Sequence, residues 1–217
     1  MFSVFKGQAK RRSSSDKTDR NTTIGIDQSG ALGRYGGRSK YHTLVATVIR
    51  DYNKFEKIAE SIPKKKNGSL SESNELGRKK RRSIHAMINE HSPEIYVSAY
   101  PLTSKMVSSS DAQADQYTLQ VGELLELIFS RSADKIFDVL LNSNSLITKK
   151  REKKFLDSCN AAAKKYGKEI QWIEMQPSRR NKVLCVVDFP ANVVGMDIEY
   201  RGLPHESHDE VELTIVG

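Results

Sequence analysis

The sequence predicts an α/β domain in which helices flank a mixed sheet, and three observations carry that prediction. Two β-branched runs occur early, separated by a glycine-rich stretch from Gly33 to Gly37, as in a hairpin of antiparallel strands. The later strand-like runs alternate with amphipathic helical segments, the pattern of strands joined by helical crossovers. One segment, Lys135-Ile136-Phe137-Asp138-Val139-Leu140-Leu141, is almost continuously apolar, as expected for a strand covered on both faces.

The elements follow in chain order. Residues 1–21 are polar and basic, with Lys10-Arg11-Arg12-Ser13-Ser14-Ser15, a composition that predicts a disordered tail. Thr22-Thr23-Ile24-Gly25-Ile26-Asp27 reads as a short strand broken at Ser29-Gly30, and Tyr41 to Ile49 as a second. Asp51 is placed to cap a helix whose Phe55, Ile58, Ala59 and Ile62 share one face, and Pro63 ends it. A polar loop, Lys64 to Asn74, leads into a helix expected over Glu75 to Glu90. That helix turns Leu76, Ile84, Met87 and Ile88 inward and Arg78 to Arg82 outward.

Glu94 to Tyr100 is the third strand, and Ala114 to Phe129 a long helix with Leu119, Leu124, Leu125, Leu127 and Ile128 toward the core. A lysine-rich helix from Thr148 to Tyr166 is stopped by Gly167. Glu169 to Met175 is another strand, and Val183 to Met196 the final helix. Residues 22–200 are therefore expected to form the domain, and residues 201–217 an acidic tail or an added strand.

With 217 residues, 37% of them hydrophobic, the chain can bury one core without covalent staples. Cys159 and Cys185 fall within packed elements and read as core thiols, which suits a reducing compartment. No apolar run approaches the roughly 20 residues of a membrane span. Met1 to Arg12 places its apolar residues ahead of its basic ones, the reverse of a secretory leader. A cytoplasmic protein with no membrane partner is the expectation, and no signal specifies an oligomeric state.

The net charge of +8 suits a polyanionic partner, because neutralising phosphates releases their counterions. Lys64, Lys65, Lys66, Arg78, Lys79, Arg179, Arg180 and Lys182 adjoin segments that carry candidate acids, and Lys149 to Lys154 form a further cluster. Few aromatics interleave with them, which favours recognition of a nucleic-acid backbone over base stacking. A basic run is more often a solvated face than a binding site.

Asp27 closes an apolar strand just before Gln28-Ser29-Gly30, so its carboxylate should emerge where α/β proteins gather their sites. A turn-forming aspartate would look the same. Asp188 lies in an apolar helix beside Val186, Val187, Phe189 and Val193, where a carboxylate needs an arginine or a metal as partner. Glu75 also suits the positive end of a helix. Among the histidines, His42 reads as a core or edge residue, and His85 and His91 lack the i, i+4 spacing of a zinc pair. His205 and His208 with Asp209 form a remote cluster. Ser29 has no His or Asp at a hydrolase spacing.

Ile24-Gly25-Ile26-Asp27-Gln28-Ser29-Gly30 resembles the opening strand of the ribonuclease-H-like family catalogued as domain of unknown function 3800, whose members begin apolar-Asp-Glu-Ser-Gly. It is more distantly similar to the Asp-Glu-Ala-Gly-Arg-Gly opening of type 2 ribonuclease H. Glu75-Leu76-Gly77 resembles that family's glutamate at a helix start, and Val186-Val187-Asp188-Phe189 its late apolar-Ala-Asp-apolar stretch. The likeness spans about Thr22 to Met196.

The resemblance implies a ribonuclease-H-like fold in which Asp27, Glu75 and Asp188 hold Mg2+ or Mn2+. The implied activity is a metal-dependent nuclease acting on RNA, hybrid or structured DNA. Such chemistry needs several acids, because two divalent ions about 4 Å apart demand hard, anionic oxygen ligands. The chain departs from the family at Gln28, where a glutamate is usual, and at Asn142, where an aspartate is. Asn142 brings a carbonyl oxygen without charge and would orient water or fill a coordination position. Asp138, four residues earlier on the same side of the strand, lies too far back to replace it. These departures keep open a catalytically inactive nucleic-acid-binding protein on the same fold. An interaction module for an acidic protein is a third reading.

Overall fold

A computed structural model describes residues 21–29, 41–91, 93–102, 109–201 and 214–216. The basic tail at 1–20, the Gly33–Gly37 turn, most of the acidic stretch after 201 and the His205–His208–Asp209 cluster lie outside the described residues.

Alternation along the first strand sets the architecture. In β1 (Thr22–Ser29), Ile24 and Ile26 turn to one face of the sheet while Gly25 lies against Val187 on the other. β1 pairs antiparallel with β2 (Tyr41–Ile49), from Thr23 opposite Ile49 to Ser29 opposite Thr43. β2 pairs antiparallel with β3 (Glu94–Pro101). β1 also pairs in parallel with β4 (Ile136–Asn142), which pairs in parallel with β5 (Glu169–Gln176). A short strand, β6 (Thr214–Val216), adds in parallel to β3. The sheet order is β5-β4-β1-β2-β3-β6, with β2 alone antiparallel to its neighbours. This is the mixed, helix-flanked α/β sheet that the sequence predicts.

Five helices cover the sheet among the described residues: α1 (Tyr52–Glu60), α2 (Arg78–Asn89), α3 (Ser110–Arg131), α4 (Lys149–Lys165) and α5 (Lys182–Arg201). The Asp51 side chain accepts from the Lys54 N–H and starts α1. α4 ends as a Schellman turn: Gly167 takes a φ of +63°, and Lys168 donates to the Ala163 carbonyl. α3 and α4 pack on one face, where Tyr117, Val121, Leu124, Leu125, Ile128, Phe155 and Cys159 meet Ile24, Ile26, Leu44, Phe137 and Val139. α1, α2 and α5 pack on the other, where Phe55, Ile58, Ile84, Ile88 and Val183 to Val187 enclose Leu140 and Ile49. Both cysteines are free and buried. No helix among the described residues is long and apolar enough to cross a membrane.

Four expectations are corrected. Leu119 is half exposed, because the buried stripe of α3 runs through Tyr117, Val121, Leu124, Leu125 and Ile128 and leaves it on the far side. Val193, expected beside Asp188, is also half exposed. Glu75 does not open α2; it ends a separate 3-10 turn, Ser73–Glu75, and the helix begins at Arg78 after Gly77. α3 starts earlier than expected, at Ser110, because the Ser109 hydroxyl accepts from the Ala112 N–H.

α5 lies hard against β1. A Cβ on Gly25 would come 2.6 Å from Val187 Cγ2, and one on Gly195 would come 1.9 Å from Ser29 Oγ. Gly25→Ala should therefore destabilise the fold by about 1–3 kcal/mol, the usual range for overpacking a core. Val187→Ala in the same chain should recover much of the loss. Urea unfolding of the two single variants and the double variant measures this, and a Gly25→Ala protein as stable as the parent would refute the close approach.

Candidate functional site

Parallel pairing of β1 and β4 brings two polar residues to the carboxyl end of the sheet. Ile26 lies opposite Leu141, so Asp27 and Asn142 stand next in register, on the face covered by α5. Asp27 is 2% exposed. Its Oδ1 accepts from its neighbour's N–H, Gln28 N at 2.7 Å, and from Asn142 Nδ2 at 2.7 Å. Its Oδ2 is buried and has no hydrogen-bond partner. The Asn142 amide is engaged at both ends, since its Oδ1 accepts from Ser178 N at 3.1 Å.

Asp188 arrives from α5, where its flanking residues Val187 and Phe189 are fully buried. Its Oδ2 accepts from Ser73 N at 2.6 Å, which ties the helix to the 3-10 turn of the long polar loop. The same loop is held by Leu70 N donating to the Arg179 carbonyl and by Cys185 Sγ against the Ser71 carbonyl. Three separate stretches of chain thus converge beside the end of β1.

The electrostatics follow from that convergence. Burial, followed by the charge of Asp188, pushes the Asp27 carboxyl up to about 8; the Asn142 and Gln28 hydrogen bonds oppose the shift, and Glu72 adds to it. Asp188 is raised as well, first by burial, then by Glu72 and Glu75, against the Ser73 hydrogen bonds. Like charges share a poorly solvated space, and a proton or a cation must relieve them.

Glu75 stands at the rim. It is engaged by Lys65 and Arg179, and the Lys65 hydrogen bond, followed by that of the Glu72 N–H, holds its carboxyl below the usual range. Glu72, which sequence reasoning missed, is the glutamate whose charge reaches both Asp27 and Asp188. Its oxygens meet Ser178 Oγ at 3.2 Å and Arg179 Nη2 at 2.7 Å. Ser73 and Ser178 were missed too. The one sequence signal was Glu72-Ser73-Asn74-Glu75, a glutamate pair three apart at a turn, which does not say which member faces inward. Among the described residues, no group of three or more His, Cys, Asp or Glu side chains is placed to hold a metal ion.

The basic residues sort by partner. Arg179 and Lys65 are paired with the loop glutamates, and Lys182 approaches Glu60 at 3.9 Å. Lys64, Lys66, Arg78, Lys79 and Arg180 are exposed on the loop, the start of α2 and the turn before α5. Gln28 turns to the opposite face, where its Oε1 accepts from Asn144. His42 is on that face also, buried beside Tyr117 and bonded to Gln120, and burial lowers it to about 4, so it stays a neutral core residue. Asp138 accepts from Asn21 Nδ2 at 3.2 Å, at the opposite end of β4 from Asn142.

No family model matches the chain, and no curated protein sequence matches it. Among solved structures, it is similar to a chain of the PCNA:RNase HII complex from Archaeoglobus fulgidus, at 12% identity and a TM-score of 0.48. The likeness covers 88% of this chain and 83% of that one.

The raised carboxyl of Asp27 gives stability a defined pH dependence. The folded-state value of about 8 exceeds the ordinary 3.8, so the folded protein retains a proton that the unfolded chain releases between about pH 4 and 8. The contribution of this group to stability in chelator therefore falls as pH rises through that window. Asp27→Asn should remove the fall and, at pH 8, stabilise the protein by on the order of 1–3 kcal/mol. Urea unfolding in chelator at several pH values tests this; a difference between the two proteins that is constant from pH 4 to 8 would rule it out.

Proposed function

We propose that the chain is a divalent-cation-dependent phosphodiester hydrolase of the ribonuclease-H type, acting on RNA, an RNA–DNA hybrid or structured DNA. The observation that carries this reading is Asp27 Oδ2, a carboxylate oxygen buried without a partner and within electrostatic reach of Asp188 and Glu72. A buried carboxylate left in that state is costly unless something positive completes it. The donors fit a magnesium or manganese ion, which takes one or two carboxylates, keeps several waters and draws further oxygens from phosphate. When bound, such an ion supplies a nucleophile at neutral pH and offsets charge on the phosphate.

The chain's residues then have distinct tasks. Asp27 and Asp188 are the inner ligands. Glu72 is the nearer third acid, and Glu75 at the rim supports the loop that carries it. Asn142 fixes the Asp27 carboxylate through its amide and leaves the inward oxygen free. Lys64, Lys66, Arg78, Lys79 and Arg180, with Arg179 and Lys182, give a basic border along which a phosphate backbone lies. The cation is expected to raise the affinity for that backbone, because it neutralises the acids that would repel it.

One observation favours a second reading, binding without cleavage. The position expected to carry an aspartate is Asn142, and both ends of its amide are already occupied. Labelled RNA, hybrid and DNA incubated with Mg2+ or Mn2+ separate the two. The hydrolase reading expects cleavage that Asp27→Asn and Asp188→Asn each reduce by at least about a hundredfold, as loss of an electrostatic catalytic group does. Binding that weakens steeply with salt, with no cleavage under either ion, would leave the second reading standing.

A further inference from the structure

Glu72 presents a contradiction that its partners resolve. Its charge is close enough to raise both buried aspartates, yet its own two oxygens are taken by other groups. Oε1 takes Ser178 Oγ at 3.2 Å and Oε2 takes Arg179 Nη2 at 2.7 Å. Arg179 Nη2 also reaches Glu75 Oε1 at 3.2 Å, and Glu75 in turn holds Lys65. The guanidinium therefore sits between two glutamates, and Glu72 is linked through Ser178 and Asn142 to Asp27, whose Oδ2 has no partner.

We infer that Arg179 is an internal counter-ion for Glu72, which a divalent cation displaces when it binds beside Asp27 and Asp188. The inference rests on the cation site proposed above. Without the cation, Asp27 and Asp188 share poorly solvated space, and Arg179 and Ser178 hold Glu72 beside them. With it, Glu72 gains a stronger positive partner and turns inward, and Arg179 keeps Glu75.

Exposure makes the exchange feasible. The Arg179 side chain is 45% exposed and that of Glu72 24%, so the ion pair is solvated and weak enough to be replaced. Arg179 sits in the 3-10 turn directly before α5, while Glu72 immediately precedes the turn that binds Asp188. The switch is therefore built into the segments that assemble the site, and no movement of the sheet is needed.

The test is calorimetric titration of Mn2+ into the full chain and its Arg179→Gln, Glu72→Gln and doubly substituted forms, without nucleic acid. Far-ultraviolet circular dichroism confirms that each is folded. Arg179→Gln should tighten Mn2+ binding by about two- to fivefold, the range set by release of one solvated ion pair. Glu72→Gln should weaken it, and in that background Arg179→Gln should have no further effect. Equal tightening in both backgrounds would mean that Arg179 acts through its general positive field, and no tightening would mean that it does not compete at all; either result overturns the inference. Lack of saturable binding in the parent chain, or binding that Asp27→Asn leaves intact, would instead remove the cation site itself.

Discussion

A carboxylate buried at the end of the central strand is the constraint on which the rest of this structure depends. Asp27 cannot turn toward solvent without breaking the pairing of β1 with β2 and β4 on either side. It cannot ionise cheaply, because burial and the nearby Asp188 both oppose its charge. Asn142 makes this tolerable. Its amide donates to Asp27 and accepts from Ser178, so a neutral group stands where an acid would add a further negative charge. Asparagine adds no charge and still leaves one Asp27 oxygen unengaged.

The remainder of the site is assembled by backbone donors and not by opposed charges. Ser73 N fixes Asp188, Gln28 N fixes Asp27 and Ser178 N fixes Asn142. Such bonds hold the acids in place without neutralising them, since an N–H lends partial charge only. Full positive charges, from Lys65 and Arg179, are kept at the rim on Glu72 and Glu75. The result is a pair of poorly solvated aspartates inside, with the full positive charges only at the rim. The close packing of α5 on β1 maintains it, because Gly25 and Gly195 allow the helix to approach until Asp188 reaches the loop turn.

The fold was legible in the sequence to the extent that periodicity records burial. β1 to β5, their order along the chain and the helices between them are readable because strands covered on both faces are continuously apolar and helices carry one apolar stripe. The misreading of Leu119 shows the limit of that signal: α3 is apolar on more than one side, and only packing against β2 and β3 picks the buried stripe. The start of α2 was misplaced because a 3-10 turn and a helix begin with the same residues, and the extended backbone at Leu76 and Gly77 separates them.

For the candidate site, sequence by itself determined that Asp27 lies near the end of a strand, which in fact runs on to Ser29, and that Asp188 lies within an apolar helix, since both follow from local pattern. It could not choose between Glu72 and Glu75, which are three residues apart on an irregular loop with no period to orient them. That choice belongs to the tertiary structure: the loop is pinned by Leu70 to Arg179 and by Ser73 to Asp188, which leaves Glu72 near the aspartates and Glu75 facing Lys65. The same long-range contacts commit both ends of the Asn142 amide and send Gln28 to the opposite face. Local sequence fixes how an element alternates, whereas the partners of its polar atoms are fixed by segments over a hundred residues distant.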